Sequence, residues 1–388
     1  MKQIMIMNTE NFVISDARII TADREINRGW LAVNNGIIAE IGEGSPPATG
    51  VVLEGDLLIP GLIELHTDHL ETHIEPRPNV DWHPASAVVA YDAQVAAAGI
   101  TTVFDCLRIG SDRENADNGG ERALRIAAAI SKQAERGNLR SEHHTHLRCE
   151  ICSPDVVDAA NAVLEKYPVG IMSLMDHTPG QRQFRDVEKL RSYYRGKLSM
   201  SEQDLQTFFE ERYRMHERYA ATHRQKLVDI ARTRNIALAS HDDTTVEHVI
   251  ESAEAGTSIA EFPTTLEAAQ ASHNKAISVV MGAPNLIRGG SHSGNVAASE
   301  LAKHGVLDIF SSDYIPASLI MAAFDLPNHA PGMDLPQAIS TVTSNPAKAV
   351  GFKDRGEIAV GKRADLVHVR LGDTPVVRAV WREGNRVL

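Results

Sequence analysis

What most constrains this chain is an alternation. Between residues 57 and 311, short apolar strand-like runs recur, and most are followed by a longer segment with helical periodicity. The strand-like runs cover 57–65, 100–106, 143–151, 169–175, 236–240, 257–262, 277–281 and 306–311. The helical segments cover 85–98, 121–136, 154–166, 202–233, 246–255, 265–273 and 295–304. Eight such repeats over about 290 residues predict an α/β fold, a (β/α)8 TIM barrel, for which roughly 250 residues is usual. The alternative, a doubly wound open sheet, has no G-x-G-x-x-G after its first strand to support it.

The two ends read differently. Residues 12–52 and 364–388 are short alternating strands separated by Gly and Asn turns. They predict one small β-sandwich domain made by both termini, 1–56 with 350–388, around a barrel at 57–349. Composition narrows the function classes. A net charge of −12, from 39 basic and 51 acidic residues, argues against nucleic-acid binding and demands local cations for any anionic ligand. No apolar run reaches the roughly 20 residues that span a bilayer, and residues 1–11 lack a signal-peptide pattern, so a cytoplasmic protein without membrane partners is expected. Three cysteines fit a reducing compartment; Cys149 and Cys152 have C-x-x-C spacing but no second pair.

In a barrel, functional groups stand at the C-terminal ends of strands, so each strand is read at its last residues. These are Glu64-Leu-His66-Thr-Asp68, Arg148-Cys-Glu150, Met175-Asp176-His177, Ser240-His241-Asp242 and Ser311-Ser-Asp313. Ligand types at five strand ends, among 17 histidines in all, point to zinc, iron or manganese. His66 and Asp68, two apart, share a face of an extended strand. Glu150 is a candidate bridge between two ions, and Asp313 a candidate proton acceptor. Asp242 and Asp243 read more simply as caps of the next helix. His144 and His146 have H-x-H spacing but lie toward the closed end of the barrel, and His69 and His73 form an i, i+4 pair better suited to solvent or substrate.

Anion recognition has its own candidates. Asn285, Arg288, Gly289, Gly290, Ser291 and His292 lie in a glycine-rich stretch that follows a strand and opens a helix, where backbone N–H groups can meet an anion. Arg77 is braced by two prolines, Arg148 shares the strand face of Glu150, and Arg182 and Arg185 sit in the long insertion 181–201.

The motif Ile59-Pro-Gly-Leu-Ile-Glu-Leu-His66 and the closing Gly356-Glu-Ile-Ala-Val-Gly-Lys-Arg-Ala-Asp-Leu366 resemble the amidohydrolase superfamily. His146-Leu-Arg-Cys-Glu150, Ser173-Leu-Met-Asp-His177, Ala239-Ser-His-Asp-Asp243, Gly289-Gly-Ser-His-Ser-Gly-Asn295 and Ser311-Ser-Asp-Tyr314 resemble its PhnM branch, from about residue 12 to 369. The resemblance implies hydrolysis of α-D-ribose 1-methylphosphonate 5-triphosphate to the 5-phosphate and pyrophosphate. It also implies a metal set of His66, Asp68, Glu150, His177, His241 and Asp313, holding two divalent ions, zinc first and iron or manganese as alternatives. The implied partner is a small triphosphate; homo-oligomer formation stays open. A ring-opening or deaminating amidohydrolase, or a non-catalytic module on the same fold, is the alternative; the first would need a pocket for a neutral ring, the second would lack ligands.

Overall fold

A computed structural model describes residues 11–78, 80–110, 119–182, 191, 195, 201–291 and 293–388. Eight parallel strands follow one another around the barrel in sequence order: β6 (Leu62–Thr67), β7 (Ile100–Ile109), β8 (Glu142–Glu150), β9 (Ile171–Met175), β10 (Ala237–His241), β11 (Ile259–Glu261), β12 (Ser278–Gly282) and β13 (Ile309–Ser311). Each predicted repeat is present. The terminal strands β1 (Phe12–Ile20), β2 (Glu25–Asn34), β3 (Ile37–Glu43), β4 (Val51–Val52), β5 (Leu57–Pro60), β14 (Leu366–Arg370), β15 (Val376–Arg382) and β16 (Asn385–Arg386) join one sheet, in the order β16-β15-β14-β5-β1-β2-β3 with β4 paired to β1.

One boundary moves. The run read as a single strand at 57–65 is two: β5 (Leu57–Pro60) pairs with β1 and β14 in the terminal sheet, and only β6 enters the barrel. The chain crosses over at Gly61, where a Cβ would stand 2.2 Å from Thr101 Oγ1; only glycine lets the backbone pass that close to β7.

The seam between β6 and β13 is closed by three devices. At the mouth, Asp313 N donates to His66 O (3.2 Å) and Asp68 N to Asp313 O (2.9 Å). At the closed end, Phe310 N and Ile63 N donate to Thr341 O and Val342 O of the returning chain. Between them the buried Glu64 carboxylate accepts from His66 N (2.7 Å) and Ser312 N (2.5 Å). A side chain thus replaces ladder bonds that the strands cannot make, as buried N–H groups require.

The interior is layered by the two-residue period of the strands. Phe104, Ile171, Ala239, Ile259, Val280 and Ile309 form an apolar plug capped by Ala347. One step further along β9, β10 and β11 come Ser173, His241 and Glu261, all buried. The dry plug leaves the polar layer open only toward the mouth.

Candidate metal centre and active site

Above the plug lies a cavity of about 530 Å³. His66, Asp68, Arg148, His241, Asp242, Phe262, Arg288 and Asp313 are among the residues lining it. At its floor the carboxylate of Glu261 accepts from His66 Nδ1 (2.9 Å), His241 Nδ1 (3.1 Å) and the Ser173 hydroxyl (2.7 Å). Burial raises the Glu261 pKa, but the adjacent His66 and His146 and the histidine hydrogen bonds hold it well below the usual carboxylate range. An ionised carboxylate on Nδ1 orients each imidazole and makes it a better ligand. Burial also lowers the pKa of His241, favouring the neutral ring that binds metal.

Donor atoms converge in three groups in this region, each set within 4.8 Å of one another: His66, His241 and Glu261; His177, His241 and Asp242; and His66, Cys106 and His146. Asp242 Oδ2 is buried and accepts no hydrogen bond, standing 3.4 Å from His241 Nε2. A stranded carboxylate oxygen is costly unless a cation uses it. Phe262 packs edge-on against the His66 and His241 rings (centroids 4.9 and 5.5 Å).

Three lining residues one or two positions past strand ends, Asp242, Phe262 and Asp313, have φ of +57°, +53° and +54°. Left-handed backbone is unfavourable for side-chain-bearing residues and collects at functional sites. Here each residue donates one backbone bond to a neighbouring strand, to Glu261 O, Val280 O and His66 O, before the chain turns away. The side chains are thereby held at the rim. The Asp313 carboxyl is pushed up to about 6 by burial, with the Asp68 charge adding to it.

The expected site residues separate into groups. His66, Asp68, His241 and Asp313 meet at the cavity, with Arg148, Asn285, Arg288, Gly290 and Ser291. Asp68 is not on the strand but just past it, and the Arg148 guanidinium donates to both its oxygens (2.7 and 2.6 Å). Glu150 does not line the cavity; its carboxylate accepts from His177 N (3.1 Å) and His177 Nδ1 (2.6 Å). Arg182 is buried, 3% exposed, and its guanidinium is committed to Asp243 and Glu251; an ion pair of that kind takes it out of the anion grip. Arg77 is exposed in a loop away from the cavity lining. Arg185 and His292 lie outside the described residues.

Two further expectations are corrected. The glycine-rich stretch does not open a helix: it follows a short one, Ala283–Ile287, and precedes Ala298–Lys303, while Asn285 ties the loop by accepting from Ala298 N (2.9 Å). The cap expected of Asp242 or Asp243 is provided by Thr245, whose hydroxyl accepts from His248 N. Of the H-x-H pair, His144 stacks on Phe104 near the plug, whereas His146 reaches the polar layer, 3.6 Å from Glu261.

Glu261 is the main residue that sequence reasoning missed. It is the last residue of β11, so the strand-end rule applies to it; reading that strand through Phe262 hid it. Ser293, Asn295 and Tyr314 also line the cavity, from loops with no periodic signal.

The family model described as "Amidohydrolase family" matches residues 204–388. The chain is 46% identical over 378 residues, 97% of its length and all of the relative's, to α-D-ribose 1-methylphosphonate 5-triphosphate diphosphatase of Escherichia coli (strain K12). Among solved structures it resembles N-acetyl-D-glucosamine-6-phosphate deacetylase from Mycobacterium smegmatis, with TM-score 0.64 at 17% identity over 97% of this chain and 100% of that one. It also resembles 5-methylcytosine deaminase from Klebsiella pneumoniae, with TM-score 0.66 at 15% identity over 97% of each. These two likenesses concern the fold.

Proposed function

This chain belongs to the amidohydrolase family, and from that premise we propose that it hydrolyses α-D-ribose 1-methylphosphonate 5-triphosphate to the 5-phosphate and pyrophosphate. The observation that carries the reading is the 46% identity, end to end, to the diphosphatase of that name. The cavity is chemically consistent with it. Among the described residues Asp68, Asp242 and Asp313 line it against two arginines, Arg148 and Arg288, so a triphosphate would be repelled unless divalent cations intervene.

The donor set fits such cations: histidines oriented by a carboxylate, a stranded Asp242 oxygen and no competing lysine in the lining among the described residues. We assign two ions, zinc first and iron or manganese as alternatives, to His66, His177, His241 and Asp242, the histidines oriented by Glu261, with Asp68 and Asp313 at the mouth. Bound there, they supply Lewis acidity to a phosphoryl oxygen and to the attacking water.

The protein's own groups divide the remaining work. Asp313 receives the proton of the attacking water: it lines the cavity and the left-handed turn at φ +54° holds it at the rim. Arg288, exposed at the rim and without an ion pair to another described residue, takes the terminal phosphates together with Ser291 and Ser293. That grip leaves the α-phosphorus facing Asp313. Phe262 shields His66 and His241 from bulk water. The substrate is a small anion met in the cytoplasm; no helix among the described residues is long and apolar enough to cross a membrane.

Hydrolysis in ¹⁸O-enriched water followed by phosphorus NMR tests the reading. Pyrophosphate should appear in one step, with label in the sugar 5-phosphate. Orthophosphate as the first product, or no turnover of the triphosphate by the metal-loaded protein, overturns it.

A further inference from the structure

The C-x-x-C pair does not act as a pair. Cys149 is buried in β8, its thiol 3.8 Å from Leu147 O. Cys152 lies past the strand end in different company. Its thiol donates to Asp176 Oδ1 (3.2 Å) and stands 3.4 Å from Thr178 Oγ1 and 3.8 Å from His216 Nδ1. His216 Nδ1 in turn lies 2.9 Å from Asp176 Oδ2. The three residues come from the turn after β8, the end of β9 and the long helix Glu202–Arg234. None of them lines the cavity.

We infer that Cys152, Asp176 and His216 form a separate site for one borderline-soft divalent cation of the zinc class. Geometry supports it. A tetrahedral ion with Zn–S of about 2.3 Å and Zn–N and Zn–O of about 2.0–2.2 Å sets its donors roughly 3.4–3.6 Å apart. Cys152 Sγ and His216 Nδ1 stand 3.8 Å apart and each faces an oxygen of Asp176, Sγ facing Oδ1 at 3.2 Å and Nδ1 facing Oδ2 at 2.9 Å, and one donor atom from each residue lies within 4.8 Å of the other two. Thiolate and carboxylate together cancel a divalent charge, and the sulfur selects zinc-like ions over magnesium or calcium. The thiol proton leaves to solvent as the S–metal bond forms. The His216 side chain is 34% exposed and provides the entry, while Cys152 and Asp176 are buried.

A nucleophilic relay is the competing arrangement, and the geometry disfavours it. In a relay the thiol and the carboxylate address opposite nitrogens of the imidazole; here both face Nδ1. The site's position gives it a consequence. Cys152 follows Glu150 by two residues, and Asp176 directly precedes His177. A cation here ties the long helix to both turns that position His177 at the barrel mouth, without touching the substrate.

Cobalt(II) titration of the metal-stripped full-length protein is the test, read by near-ultraviolet thiolate-to-metal charge transfer. The wild type should develop this band and bind one more equivalent than Cys152→Ser. Cys152→Ser and His216→Gln should each abolish the band. Cys106→Ser, which alters the thiol beside His146, should retain it. If Cys152→Ser does not fold, His216→Gln decides, since its side chain is partly exposed. No band at saturation in the wild type, a band surviving in His216→Gln, or a band lost in Cys106→Ser overturns the assignment.

Discussion

Two buried histidine–carboxylate clusters, one outside the barrel wall and one inside it, have opposite compositions. Outside, His143 lies between two carboxylates, with Nδ1 2.8 Å from Asp105 and Nε2 3.2 Å from Asp92. Inside, one carboxylate, Glu261, lies between two histidines and is approached by a third, His146. In the outer cluster the imidazole is fully paired. Each imidazole nitrogen has its acceptor, and Asp92 also takes the backbone N–H groups of Arg140 and Ser141. The inner cluster has more donor capacity than partners, and beside it Asp242 Oδ2 is buried with none. Surplus ligand capacity facing a cavity distinguishes a site from a structural ion pair, although both look alike as histidines near acids in the sequence.

The largest effect should come from the rim above the inner cluster. Asp313→Asn should keep the fold, because Asn tolerates the left-handed backbone at φ +54°. It should lower kcat by about 10²–10⁴-fold, the usual scale for a general base. A metal-loaded variant turning over at nearly the wild-type rate would show that Asp313 is not the proton acceptor. The outer cluster should behave oppositely. His143→Gln strands Asp105, whose Oδ1 already lacks a partner, at a cost of about 3–5 kcal/mol in stability. Denaturant melts should register that loss while kcat per folded molecule stays unchanged. A drop in kcat at full folding would erase the distinction between the clusters.

Glu261→Gln probes the inner cluster itself. An amide cannot accept from two Nδ1–H groups and Ser173 at once without turning its NH₂ toward one of them. Metal affinity should fall about 10–100-fold, as when other carboxylates that orient ligating histidines are lost. Competition with a chelator measures this, and unchanged affinity would mean Glu261 is only packing. This residue also marks the limit of sequence reading. The eight strands and most helices were legible because the apolar period is local. His66, His241 and Asp313 were legible because strand ends carry function in a barrel. The partners were not: whether Glu150 faces His177 or the cavity, and whether Arg182 meets phosphate or Asp243, depends on side-chain contacts between segments far apart in sequence. The left-handed turn at Phe262 leaves no trace in residue type, and those at Asp242 and Asp313 leave only the weak preference of aspartate for that backbone, since none is glycine.

The smallest effect is the share of the pH dependence of stability that the outer cluster contributes through His143. Burial lowers the His143 pKa, but the charge and hydrogen bond of Asp105, joined by Asp92, push it up to about 9. In the unfolded chain it returns to its ordinary value near 6.5. Its folded-state pKa is thus raised, so its contribution is fully present below pH 6.5 and disappears as pH rises through about 9. Between pH 6.5 and 8.5 the loss should be about 2 kcal/mol, since each pKa unit is worth about 1.4 kcal/mol. Asp92 carries the opposite sign: burial raises its pKa, but His143 and the two backbone N–H groups depress it below 3.8. Its contribution is present above that value and lost on acidification, so the pair is strongest between about pH 4 and 6.5. Urea melts of metal-free protein across pH 6–9 should show the alkaline decline, and His143→Gln should flatten it by about the same 2 kcal/mol. An identical decline in that variant would place the titrating group elsewhere and leave His143 a neutral hydrogen-bond donor.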